Sequence, residues 1–182
     1  MTEIHSFAEI DASLRSIDTG EPATAKRRLF ASAARFQNRA VKPREWLVEG
    51  FIPNGTVTLL GGDGGSGKSL LAMMLAIATA STKDVRWLGR LPVQGPAIYC
   101  GAEDDIDEMH RRMADITDAN FIQFTDLERL HVCSLAGQDA LLAVENPKTK
   151  VLAATPLFAE IRDKIEAARP SLVVFDTLAD LF

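Results

Sequence analysis

The octapeptide Gly62-Asp63-Gly64-Gly65-Ser66-Gly67-Lys68-Ser69 fits the pattern G-x-x-x-x-G-K-[ST] at every fixed position, and it restricts the fold more than any other segment of the chain. Its glycines lack Cβ atoms, so successive backbone N–H groups can turn inward around phosphate oxygens. The context expected of such a loop, a strand before it and a helix after it, fits on both sides. Thr56-Val57-Thr58-Leu59-Leu60 is β-branched and apolar and predicts the strand leading in; Leu70 to Ala80 predicts the helix leading out. That helix aims its positive N-terminal end at the loop. The expected ligand is a nucleoside triphosphate with Mg²⁺. Gly62, Asp63, Gly64, Gly65, Ser66 and Gly67 form the cradle, Lys68 reaches the β- and γ-phosphates, and the Ser69 hydroxyl ligates the metal.

The surrounding chain can support such a site. With 182 residues, 47% hydrophobic and 25% charged, it suits one globular domain with an N-terminal extension. A net charge of −5 argues against a wholly basic nucleic-acid-binding surface, but leaves room for a small basic patch or the inner face of an oligomer. Cys100 and Cys133 both sit in apolar, strand-like runs and read as buried reduced thiols rather than a disulfide or metal site. His5, His110 and His131 form no metal-like spacing with them. With neither a signal-peptide pattern nor an apolar run long enough for a bilayer, the expectation is a soluble, cytoplasmic protein with no membrane partner.

Residues 1–42 read as a polar arm, partly helical or disordered. Ile4, Phe7, Ile10 and Leu14 recur at helical spacing. Lys26-Arg27-Arg28 and the stretch from Arg35 to Lys42 add positive charge, suited to a solvated arm or to contact with a neighbouring subunit or nucleic acid. The domain proper is expected over residues 43–182, with Trp46 to Pro53 leading into the first strand. Beyond the glycine-rich loop and its helix, Ala97 to Cys100 predicts a buried strand. A helix follows from about Asp104 to Ile116, with Ile106, Met109, Met113 and Ile116 on its inner face. Leu130 to Cys133 predicts a third strand, followed by a polar loop as far as Lys150. Thr155 and Pro156 read as N-cap and N1 of a helix that turns Leu157, Ile161 and Ile165 inward and stops at Arg169-Pro170. The last strand is Leu172-Val173-Val174-Phe175-Asp176. Alternating strands and helices predict an α/β fold with a mostly parallel central sheet covered on both faces.

Asp176, at the end of an apolar strand downstream of the loop, is the expected carboxylate of the Mg²⁺ site, holding the ion through Ser69 and water. Thr177 follows it, so a general base immediately after that Asp is absent. Glu103 is the candidate base. It lies just past the second buried strand, and the carboxyl ends of parallel strands border the ligand crevice. Asp104, Asp105, Asp107 and Glu108 suit the start of the next helix, and Arg111 and Arg112 suit a solvated helix face.

The P-loop, then IYCGAEDD followed by MHRRMADI, then LVVFDTLADLF, together resemble the RecA-like ATPases related to the RepA hexameric replicative helicase. Those are close to the AAA_25-type ATPases of phages and mobile elements, and more distantly similar to DnaB-type helicases, RadA and KaiC. The similarity spans about Trp46 to Phe182 and includes the lead-in WLVEGFIPNGTVTLLGG. It implies a RecA-like P-loop NTPase core that hydrolyses ATP with Mg²⁺, in a helicase or DNA-maintenance ATPase. It also implies homo-oligomeric, hexameric ring assembly and single-stranded DNA as partner. By position it assigns Lys68 and Ser69 to Walker A, Glu103 to the general base and Asp176 to Walker B. A KaiC-like, non-motor regulatory ATPase, or a nucleotide-binding protein without efficient hydrolysis, is the alternative. The chain ends six residues after Asp176. The strands that carry the family's sensor, DNA-contacting loops and arginine finger are therefore not located, and the expectation is the N-terminal portion of such a core.

Overall fold

The computed structural model describes residues 30–147 and 150–181, so the amphipathic segment expected over Ile4 to Leu14 and the Lys26-Arg27-Arg28 cluster lie outside the described residues. The chain divides into two compact units, Met1–Pro43 and Arg44–Phe182. The described part of the first is exposed and holds one 3-10 turn, Ala33–Phe36, capped by the Ser32 hydroxyl, which accepts from the Ala34 N–H at 3.3 Å.

In the second unit the strands are β1 (Trp46–Val48), β2 (Ile52–Pro53), β3 (Ala97–Gly101), β4 (Leu130–Ser134), β5 (Ala143–Glu145), β6 (Leu152–Ala154) and β7 (Leu172–Asp176). The helices are α1 (Lys68–Ala80), α2 (Ile106–Ala119) and α3 (Pro156–Ala168). β1 and β2 form a short antiparallel pair, as do β5 and β6. The centre is a three-stranded parallel sheet in the order β4-β3-β7. The fold is therefore α/β, with a mixed set of strands and a parallel core. β3, flanked on both sides, is buried along its whole length, as expected of a central strand between helical layers.

Alternation along β3 sorts the core into two clusters. Ala97 and Tyr99 face α1 and α2, packing with Met73, Ile77, Met109 and Met113. Ile98 and Cys100 face the other way, packing with Leu135, Leu142, Ile161 and Leu181, and with Leu157 and Ile165 of α3. From Leu75 to Ala80, α1 is buried on every side. The Arg129 guanidinium closes its end, donating to the carbonyls of Ala80 (3.2 Å) and Ser81 (2.8 Å). Thr155 caps α3 as expected, its hydroxyl accepting from the Phe158 N–H at 3.3 Å, with Pro156 at the first position.

Three expectations fail. Thr56 to Leu60 is not a strand among the described residues: Val57 is 100% and Leu59 77% exposed. A strand is a ladder, and no described strand lies beside this segment to complete one. The polar loop expected before Lys150 contains a hairpin, with Ala143 opposite Ala154 and Glu145 opposite Leu152. Ile106, placed on the inner face of α2, is 52% exposed because it opens the helix, a turn short of the sheet that covers Met109, Met113 and Ile116.

Candidate functional site

The glycine-rich loop turns on a single carbonyl. The Asp63 oxygen accepts from the Ser66 N–H (3.3 Å), the Ser66 hydroxyl (2.7 Å) and the Lys68 ammonium (2.7 Å). Gly65 and Gly67 take φ of 73° and 83°, a region where a Cβ is strained. Gly67 is the N-cap of α1, and its carbonyl accepts the first helical bond, from the Leu71 N–H at 2.9 Å. The loop therefore hands directly into the helix, and Lys68 and Ser69 occupy its first turn, where N–H groups have no intrahelical partner.

Beside the loop lies a cleft of about 680 Å³, within the range of small-ligand sites. Gly64, Gly65, Gly67, Lys68 and Ser69 line one side; Glu103, Arg112, Asp115 and Thr177 line others. The parallel register explains the convergence. Gly101 is paired with Asp176, so the turns leaving β3 and β7 emerge together, and the Ala102 N–H donates to the Asp176 carbonyl at 2.7 Å. Glu103 is exposed on the first of these turns and Thr177 is half-buried on the second. The Asp176–Thr177 peptide bond is cis.

The Asp176 carboxylate is held from inside the sheet. The Tyr99 hydroxyl donates to its Oδ2 at 2.6 Å. Burial raises the Tyr99 phenol above its ordinary range, and the bond to Asp176 raises it further, so the phenol remains a donor. Nothing about Tyr99 stands out in the sequence. Its role becomes visible only once β3 and β7 are aligned in parallel, which sets Tyr99 two residues before the level of Asp176 and on the same face as Gly101.

Arg112 corrects a further expectation. It is half-buried rather than a solvated helix residue, pairing with Asp104 at 2.5 Å and Glu108 at 3.0 Å while bordering the cleft. Arg111 fits the expectation, exposed and paired with Glu108 at 2.9 Å. The acidic run also divides. Asp105 caps α2, accepting from the Glu108 N–H at 2.7 Å. Asp104 is drawn into the Arg112 pair, its carboxyl raised by burial against the lowering effect of that guanidinium.

The residues present suit a triphosphate. Ideal Cβ atoms built on Gly64, Gly65 and Gly67 would meet nothing within 4 Å, so the loop backbone faces open space rather than packed side chains, and the Lys68 ammonium is at hand. Ser69 lines the cleft, whereas Asp176, at the end of β7, is not among its lining residues; a hydroxyl and a carboxylate are the kinds of oxygen that Mg²⁺ takes together with substrate phosphates.

The AAA_25 family model, described as an AAA domain, matches residues 21–182. The chain belongs to this family. The AAA_25 match takes in the glycine-rich loop, the turns after β3 and β7, and all of the parallel sheet. As a member of the P-loop NTPase superfamily, an AAA_25 domain carries the potential to bind and hydrolyse ATP with Mg²⁺. Among the described residues, no helix is long and apolar enough to cross a membrane.

Proposed function

We propose that this AAA_25 domain is a RecA-like ATPase of the RepA type, working as a DNA helicase or DNA-maintenance ATPase in a homo-oligomeric, hexameric ring on single-stranded DNA. The observation that carries the nucleotide reading is the single cleft bordered by Lys68 and Ser69, by Glu103 and by Thr177, the residue after β7. Lys68 leaves the Asp63 carbonyl to hold the β- and γ-phosphates, and the loop N–H groups bind their oxygens. Ser69 and Asp176 would hold Mg²⁺, which supplies charge neutralisation on the phosphates when bound. Glu103, exposed at the cleft, orients the attacking water and draws off its proton. In this reading residues 1–42 are an arm appended to the ATPase domain at 43–182. The helicase assignment rests on the family resemblance of the motif set.

Binding and turnover separate these roles. Lys68→Ala is expected to abolish most triphosphate affinity, measured with a fluorescent ATP analogue. Glu103→Gln is expected to keep binding and lower phosphate release by about 10²-fold or more. Wild-type hydrolysis in Glu103→Gln would move the base elsewhere. Single-stranded DNA is expected to stimulate turnover. Turnover indifferent to DNA would favour a KaiC-like regulatory ATPase, and binding without turnover would leave a nucleotide-binding protein.

A further inference from the structure

On the sheet face opposite the glycine-rich loop, β4 is only partly covered by α3, and a second cleft of about 520 Å³ opens there. Both cysteines of the chain line it. Cys100 on β3 and Cys133 on β4 are direct register partners in the parallel ladder, and both are free thiols. Neighbouring strands lie about 4.8 Å apart, inside the Cα separation of about 4.4–6.8 Å that a disulfide spans. We propose that Cys100 and Cys133 form a modification site, a dithiol that hydrogen peroxide converts reversibly into a disulfide joining β3 to β4.

The two thiols have different access. Cys133 is half-buried in the cleft and Cys100 is buried behind it. Cys133 therefore meets the oxidant. Its sulfur attacks one peroxide oxygen, the O–O bond breaks, and the leaving hydroxide takes the thiol proton as water, giving a sulfenic acid. The Cys100 sulfur then attacks the Cys133 sulfur, the S–O bond breaks, and a second water leaves with the Cys100 proton. Two thiols and one peroxide become one disulfide and two waters. Burial pushes the Cys100 thiol up to about 12 and raises Cys133 as well, so both are weak nucleophiles and the reaction is slow. Side chains on paired parallel strands run side by side rather than converging, so the bond carries strain and is readily reduced, the character of a reversible disulfide rather than a structural one.

The position has a mechanical consequence. The next residues along are Gly101 and Ser134; the Leu135 N–H donates to the Gly101 carbonyl and the Ser134 hydroxyl to the Asp104 carbonyl, both at 2.8 Å. A covalent tie at Cys100 and Cys133 thus sits at the root of the turn carrying Glu103.

The test is peroxide treatment of the folded chain, alkylation under denaturing conditions, and mass spectrometry without reduction. The expected product has lost two hydrogens, yields a peptide joining Cys100 to Cys133, and returns to two alkylated thiols after dithiothreitol. Cys100→Ser should instead trap a dimedone-reactive sulfenic acid on Cys133. Accumulation of sulfinic acid on Cys133 with Cys100 still free in the wild type would overturn the proposal. So would a disulfide formed only between chains.

Discussion

Single hydrogen bonds decide which groups the site can offer. A carboxylate at the end of a strand can rotate, and the Tyr99 donor at 2.6 Å fixes Asp176 with one oxygen engaged. Tyr99→Phe keeps the ring and its packing and deletes only that donor. A bond to a charged acceptor of this kind is worth about 1.5–3 kcal/mol. The variant is expected to need about tenfold more Mg²⁺ for tight triphosphate binding, with Mg²⁺-free affinity unchanged; titration of a fluorescent nucleotide at stepped Mg²⁺ checks both. An unchanged Mg²⁺ requirement would reduce Tyr99 to a packing residue. On the opposite face, His131 is held below its ordinary 6.5 by burial and then by Lys164. The unfolded chain therefore takes up a proton from pH 6.5 downward, before the folded protein does. The stability tied to neutral His131 is full above that value and lost as pH falls through the depressed one. His131→Gln should flatten this acid limb in denaturant midpoints collected from pH 7.5 to 5, and an unchanged limb would assign it to other groups.

At the scale of elements, α1 shows what a sequence can and cannot declare. Its start is legible because Gly67 and Lys68 belong to a motif with a mechanism, and its length follows from the unbroken run to Ala80. Its finish depends on Arg129, distant in sequence, whose guanidinium satisfies the last carbonyls and ties β4's approach to the helix. Arg129→Ala is expected to cost about 2 kcal/mol in chemical denaturation, with nucleotide affinity preserved because the loop is at the other end of the helix. Loss of affinity as well would mean that the helix moves as a rod. The same contrast runs through the site. β7 and the Thr155–Pro156 helix start are readable from local pattern, since continuous apolar runs and caps are local chemistry. Tyr99 on Asp176, Arg112 on Asp104 and the hairpin at Ala143–Ala154 are pairings between segments, and one-dimensional spacing does not encode a partner. Thr56 to Leu60 fails for the complementary reason: propensity favours a strand, yet strand identity is conferred by a neighbour.

At the scale of the molecule, the sheet is narrow for the surface it must cover. β3 has partners on both edges, whereas β7, among the described residues, is paired on one edge only. Near the glycine-rich loop, Val57 and Leu59 stand exposed in a segment that is neither helix nor strand. Unpaired N–H and C=O groups beside exposed β-branched residues are a template for strand addition, and only charge or steric blocking opposes it. The net charge of −5 is a weak long-range brake at physiological ionic strength, where screening acts within about 8 Å. The isolated chain is therefore expected to self-associate with rising concentration through this region. The double variant Val57→Lys, Leu59→Lys places like charges on one face of the strand that such an addition would form, since residues two apart in a strand share a side, and should shift the onset of light scattering to higher concentration. Because neither residue borders the cleft, triphosphate affinity should be retained. Equal scattering from both proteins would place the sticky surface elsewhere, with the exposed Leu152 of the β5–β6 hairpin the next apolar edge to charge.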